Sequence, residues 1–190
     1  MLIYKSSYDI KEPIQQPVVA IGNFDGVHRG HQEIFRQIIE KAKTIGGTSV
    51  VYTLYPHPST VLRPETSQPL ITSLEQRIRL IQKAGIDILV IDTFDPAYSR
   101  QTAEAFFKTI VLNNLKASQL YVGYNFFFGR EREGNIESLT KLCHTHRVEL
   151  HVTPPFKIGN DVVSSSIIRT FIRTGEVQKA ASFLGRYYGI

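Results

Sequence analysis

Two histidines three residues apart, His28 and His31, stand in the stretch GNFDGVHRGH (residues 22–31), directly after the apolar run PVVAI. At the start of a helix this spacing places both imidazoles on one face of the first turn. The amides of that turn lack intrahelical partners and carry partial positive charge, so they attract anions. Gly22, Gly26 and Gly30 permit tight turns and close approach of a ligand to the backbone. Imidazole N–H groups beside free amides form a cradle for polyphosphate, and would stabilise charge that builds up during phosphoryl transfer. A zinc site needs three or four ligands at matching spacing. Cys143, His144, His146 and His151 lie far along the chain without a CxxC partner, and read instead as a cationic helix end. A structural role for the two histidines, and a helix-capping role for Asp25, stand beside the phosphate reading.

These residues need a scaffold, and short β-rich runs alternating with helical patterns supply one. Strands are expected at 17–22, 48–54, 87–92, 118–123 and 148–154. The first helix should run from about Arg29 to Ile45, with Ile34, Ile38, Ala42 and Ile45 on one face and Gly46–Gly47 as its stop. Ser73 with Gln76 forms a capping box for a second helix. A third helix is expected over 102–115, capped by Thr102, with Ala105, Phe106, Thr109 and Ile110 inward. Further helices fall near 134–146 and in two pieces of the tail. This alternation implies right-handed crossovers and a mainly parallel five-stranded sheet covered on both faces, in one α/β domain over 1–190. Ligands bind such sheets at the carboxyl ends of the strands. The loops there, such as GNFDGVH, YPHPS and GYNFFFGRE, hold most of the histidine, phenylalanine and asparagine, whereas the opposite loops are bland.

Bulk composition narrows the class. The 190 residues are 42% hydrophobic and 21% charged, a globular balance. A net charge of +5 suits a phosphorylated partner, but the basic residues are scattered and form no nucleic-acid stripe. One cysteine excludes an internal disulfide and fits a reducing, cytoplasmic compartment. No apolar run approaches the roughly 20 residues of a membrane helix, and the N-terminus lacks a signal-peptide core.

GNFDGVHRGH resembles the HxGH nucleotidyltransferase signature, in the extended form of the FAD synthetase (FMN adenylyltransferase) module of bacterial bifunctional riboflavin kinase/FAD synthetases. YPHP (55–58) resembles that family's second loop, VGYNFFFGREREGN (122–135) its aromatic flavin loop, and VVSSSIIR (162–169) with the helices beyond it an SSTxxR-type segment. The resemblance implies a Rossmann-like α/β/α fold and Mg²⁺-dependent transfer of AMP from ATP to FMN, giving FAD and pyrophosphate. It implies catalytic roles for His28, His31, Asn125 and Arg169. Gly22, Asn23, Phe24, Asp25, Gly30, Ser164, Ser165 and Ser166 would shape the ATP site, and Tyr55, His57, Phe126 and Phe128 the flavin site. No metal would be held by protein residues alone; Mg²⁺ would ride on the triphosphate. If NFFFG stays extended, Phe126 and Phe128 share one side and Phe127 faces the other. Two positions depart from the family pattern: Ile167 stands where a basic residue is frequent, and Asn125 where aspartate is frequent. The bifunctional relatives continue into a riboflavin kinase barrel beyond LGRYYGI, so no riboflavin phosphorylation is expected. The alternatives are another HxGH transferase, acting on pantetheine phosphate or nicotinate mononucleotide, and a non-catalytic flavin-nucleotide holder. The flat aromatic loop speaks against the first of these.

Overall fold

The computed structural model describes residues 1–189. Its main sheet has six strands, all parallel: β1 (Leu2–Tyr4), β2 (Pro17–Ile21), β3 (Thr48–Tyr55), β4 (Ile88–Thr93), β5 (Gln119–Gly123) and β6 (Glu149–Thr153), in the order β1-β4-β3-β2-β5-β6. The sequence pattern implies five strands; the sixth is β1, paired to the outer edge of β4 through Leu2↔Ile88 to Tyr4↔Val90. Three residues are too few to show an alternating pattern, so this edge strand left no periodic signal.

Period-2 alternation divides the core into two layers. Val18, Ala20, Val51 and Leu89 face α1 (Arg29–Ile45), which packs with Ile34, Phe35, Ile38 and Ala42. Val19, Ile21, Val50, Tyr52, Val90, Leu120 and Val122 face the other way, toward Phe106, Phe107, Ile110, Leu139 and Cys143. Two short helices follow β3 and precede β4: α2 (Pro58–Leu62) and α3 (Leu74–Lys83), the latter with the Ser73/Gln76 capping box in place. On the second face lie α4 (Ala103–Phe106) and α5 (Ile136–His146). Past Phe106 the chain winds as a π-helix from Phe107 to Asn114, which changes the expected inward face. Wider turns bury Phe106, Phe107, Ile110, Val111 and Leu115, where 3.6-residue spacing selects Ala105, Phe106, Thr109 and Ile110.

After β6 the chain forms a small antiparallel hairpin, β7 (Lys157–Ile158) with β8 (Asp161–Val162), and then α6 (Ser165–Arg173) and α7 (Val177–Leu184). Ile168, Phe171, Ala180, Phe183 and Leu184 build a third cluster with Ile71 and Val163. It packs the end of the chain beside the loop that leads into α3.

Because every main-sheet strand runs the same way, the segments after β2, β3, β4, β5 and β6 emerge at one edge. β2 lies between β3 and β5, so the chain departs toward β3 and β4 and later returns to β5. That reversal opens a crevice between the loops after β2 and β5, the position where open parallel sheets bind nucleotides.

Candidate active site

The turn after β2 is held in unusual backbone geometry. Phe24 (φ 51°), Gly26 (φ 80°) and Val27 (φ 40°) all occupy the left-handed region. For a β-branched valine that conformation is strained, and it persists only where the surroundings over-determine it. They do: Gln32 Nε2 donates to the Val27 carbonyl at 2.8 Å and to the Leu184 carbonyl at 2.9 Å. Arg186 Nη2 donates to the Gly26 carbonyl at 2.8 Å. A Cβ on Gly22 would lie 2.9 Å from the Phe24 ring, so only glycine fits there.

Asp25 anchors the turn from below. Its buried carboxylate accepts from the Ile71 and Thr72 amides at 3.0 and 3.2 Å, and pairs with Arg169 Nη2 at 2.6 Å. Both oxygens are thereby engaged, and Asp25 acts as a tether between three segments rather than as a helix cap. Ser165 Oγ donates to the Asp25 carbonyl at 2.9 Å, a further tie from α6.

His28 caps α1: its Nδ1 accepts from the His31 amide at 3.3 Å. That bond leaves Nδ1 bare, so in the neutral ring the proton sits on Nε2, a free donor. The His28 and His31 rings stack at 3.5 Å between centroids, with planes 18° apart. Phe24, buried in the core, meets the His31 ring edge-on at 5.2 Å and holds it from behind. Burial pushes His28 down to about 4, with Asp25 opposing and the Arg186 and Arg169 charges adding to the effect. Burial, then the neighbouring His28 and Arg77, hold His31 well below its ordinary value. Both rings are therefore neutral donors at physiological pH, and neither suits a proton relay.

The other expected residues lie on or beside the loops after β2, β3 and β5 and at the start of α6. Ser164 caps α6, accepting from the Ile167 amide at 3.4 Å, and Ser166 is exposed in the first turn. The Asn23 carbonyl accepts from Thr53 Oγ1 and Arg77 Nη1. A Cβ on Gly30 would come within 3.3 Å of the His28 ring. His57 caps α2 with its Nδ1 and is lowered chiefly by burial, with Asp25, Arg169 and Arg77 all bearing on it. Tyr55 is exposed at the end of β3.

Asn125 is exposed just beyond β5, across the crevice. Phe126 and Phe128 stack at 5.5 Å and 14°, on one side of the loop as alternation requires. Phe128 is part of the core against Phe106, whereas Phe126 is half-buried. Phe127 points outward, with the Arg132 guanidinium 4.3 Å from its ring centre. The sequence reasoning missed Thr72, Arg77 and Arg186. Arg77 could have been found as a lone cation on the apolar stripe of α3; Arg186 follows the helical pattern and carries no such signal.

Among the described residues no three His, Cys, Asp or Glu side chains cluster to hold a metal ion. The arrangement has the chemistry to hold an anion: a helix start and neutral imidazole donors lie in a turn braced by Arg77, Arg169 and Arg186, with the Asp25 carboxylate fully engaged.

A six-stranded parallel sheet with a switch point between β2 and β5 and a histidine pair opening α1 is an α/β fold of the nucleotidyltransferase kind. Residues 10–167 match the model of the FAD synthetase family, and the chain belongs to that family. It is 30% identical over its whole length to the bifunctional riboflavin kinase/FMN adenylyltransferase of Buchnera aphidicola subsp. Acyrthosiphon pisum, covering 61% of that protein. A putative bifunctional enzyme of the same name from Geobacillus thermodenitrificans is 33% identical over 168 residues, which are 88% of this chain and 89% of that one. A crystal structure from Streptococcus pneumoniae described as a macrolide-efflux protein superposes with a TM-score of 0.83 at 28% identity, over 97% of this chain and 60% of that one. Among the described residues no helix is long and apolar enough to cross a membrane. The pantoate-beta-alanine ligase of Francisella tularensis shares the fold, with a TM-score of 0.53 at 14% identity over 97% of this chain and 85% of that one. The chain thus spans about three-fifths of the length of its Buchnera relative (61%).

Proposed function

We propose that this protein transfers AMP from ATP to FMN, releasing FAD and pyrophosphate. The observation that carries the reading is the stacked, neutral His28–His31 pair at the start of α1, facing an aromatic loop across the sheet's switch point. Family membership supports it.

The FMN phosphate is already a nucleophile, so no covalent enzyme intermediate and no general base are needed; positioning and charge stabilisation carry the rate. In this reading an FMN phosphate oxygen attacks the ATP α-phosphorus, and the bond to the bridging oxygen of pyrophosphate breaks. His28 and His31 donate Nε2–H to phosphate oxygens as negative charge moves toward the leaving group. Amides at the start of α6, with Ser164 and Ser166, form a second phosphate contact. Arg169 is held by Asp25 and Pro69, so it acts first by fixing the turn and through its charge. Asn125 and the exposed edge of Phe126 lie toward the flavin, with Tyr55 and His57 on the facing loop. Gly22, Asn23, Phe24, Asp25, Gly30 and Ser165 shape the ATP pocket from behind. Among the described residues no three His, Cys, Asp or Glu side chains cluster, and in this reading Mg²⁺ enters with the substrate, as Mg–ATP. A cytoplasmic setting goes with the free, buried Cys143, and neither nucleic acid nor membrane is a proposed partner.

The test is incubation of the protein with FMN, ATP and Mg²⁺, with FAD and pyrophosphate followed by chromatography. FAD should form from FMN and not from riboflavin, which lacks the attacking phosphate. A folded sample that binds FMN but releases no pyrophosphate would make it a flavin-nucleotide holder instead.

A further inference from the structure

Arg77 in α3 is the least expected charge in the molecule. Its side chain is 2% exposed. Nη1 donates to the Asn23 carbonyl at 2.5 Å, while Nε and Nη2 are buried without a partner. A buried cation with idle donors is costly, and calls for a compensating role. His31 Nδ1, on the adjoining helix start, is likewise buried and unpartnered. Its bond to the Asn23 carbonyl sets Arg77 against the turn after β2, and its charge bears on both His31 and His57.

We propose that Arg77 is a positioning residue for the transfer: it locks the Asn23 carbonyl at the end of β2 and holds His31 as the tautomer with bare Nδ1 inward and Nε2–H outward. The tautomer follows first from burial: Nδ1 is sealed from solvent without a partner, so a proton there would be an unpaired buried donor, and the Arg77 charge adds to the same preference. A cation behind the ring disfavours an N–H dipole pointing at it and favours a lone pair there, so the proton occupies the opposite nitrogen. His28 reaches the same state by a different route, its capping bond to the His31 amide. The stacked rings then present two parallel donors. The charged or titratable groups facing His31 are His28 across the stack and Arg77 from α3, with Phe24 closing the ring edge. The inference rests on the adenylyl-transfer reading for its kinetic consequence, and on the burial of Nδ1 and the Arg77 charge for the tautomer.

Arg77→Met and Arg77→Lys in the full chain test it, each by steady-state FAD formation and by nitrogen-15 NMR of the histidine side chains. Exchanging a buried charge for an apolar group of similar volume is often neutral for stability, so Arg77→Met should fold. It should lower kcat on the order of tenfold to a hundredfold, with the KM for ATP and for FMN moving less than about threefold. Arg77→Lys, which keeps the charge and one donor, should recover most of the loss. In the wild type His31 should report Nε2–H and stay neutral at physiological pH. In Arg77→Met an Nδ1–H population or an upward-shifted titration should emerge. A wild-type kcat in Arg77→Met overturns the proposal, as does an equal loss in both variants with unchanged His31 signals. An Nδ1–H tautomer at wild-type His31 overturns it even if Arg77→Met does not fold. Absence of FAD in the wild type would sink the functional reading, while the NMR arm would still decide the tautomer.

Discussion

The turn after β2 and the loop after β5 face each other across one crevice and are built on opposite plans. In the first, nearly every polar group is spoken for. Asp25 is tied to Ile71, Thr72 and Arg169, the Val27 carbonyl to Gln32, and the Gly26 carbonyl to Arg186. Three left-handed residues are held there by ties from α1, α3, α6 and the segment after α7. The second has exposed Tyr124, Asn125 and Phe127, and is anchored at its ends, through the Tyr124 amide on the Thr153 carbonyl, through Phe128 and its bridge to Gly134, and through the Arg130 amide on the Gln101 carbonyl. Each plan suits the task proposed for it. Charge developing on a phosphorus centre is stabilised only by donors that need no rearrangement. A flat ring system tolerates an adaptable wall, because stacking sets separation more strictly than lateral position.

The sharpest way to break this division is to remove one donor from the rigid side. His31→Ala should lower turnover by about a hundredfold to a thousandfold, the usual cost of losing a preorganised donor. Flavin affinity, read by quenching of FMN fluorescence, should stay within about twofold, since the phosphate site and the flavin wall belong to different loops. A parallel fall in both quantities would show that the two regions act as one.

Acid probes the same rigidity through stability. His28 titrates at about 4 in the folded chain against an ordinary 6.5, so the unfolded chain binds a proton more readily between those values. Stability is therefore full above about pH 6.5 and is lost as pH falls toward 4, by on the order of 3 kcal/mol from this group. His31 and His57, both lowered by burial, act in the same direction. Urea unfolding at a series of pH values should show the slope, and His28→Ala should flatten part of it. A stability that rises on acidification would mean the imidazoles are charged in the folded state.

The two regions also differ in how far sequence reveals them. The helix from Arg29 to Ile45, the Ser73 capping box and the placing of every ligand loop at one sheet edge follow from periodicity, capping chemistry and crossover handedness, which are local or topological rules. β1 and the π-helix do not follow. The first is too short to show alternation, and the second departs from the 3.6-residue spacing on which a periodic reading depends. Within the site, the spacing of His28 and His31 is legible because both lie on one turn. The partners of Asp25 are not: Ile71 and Arg169 are 46 and 144 residues away, and only the third dimension joins them. Arg186 is hidden for the same reason.

The smallest expected effect falls on the adaptable side, at Phe127. Phe127 is 45% exposed and its ring contacts the Arg132 guanidinium, an exposed pairing of limited worth. Phe127→Ala should therefore change unfolding free energy by no more than about 0.5 kcal/mol, as surface substitutions do. Its effect on the KM for FMN should be smaller than that of Phe126→Ala, because alternation puts Phe126 with Phe128 on the side stacked toward the core and Phe127 on the other. Measuring both variants decides which face of the loop meets the flavin. A larger loss of FMN binding in Phe127→Ala would move the ring to the outer face and make Arg132, not the Phe126–Phe128 stack, its neighbour. The rigid turn would keep its role unchanged, so the experiment separates where the flavin lies from how the phosphate is held.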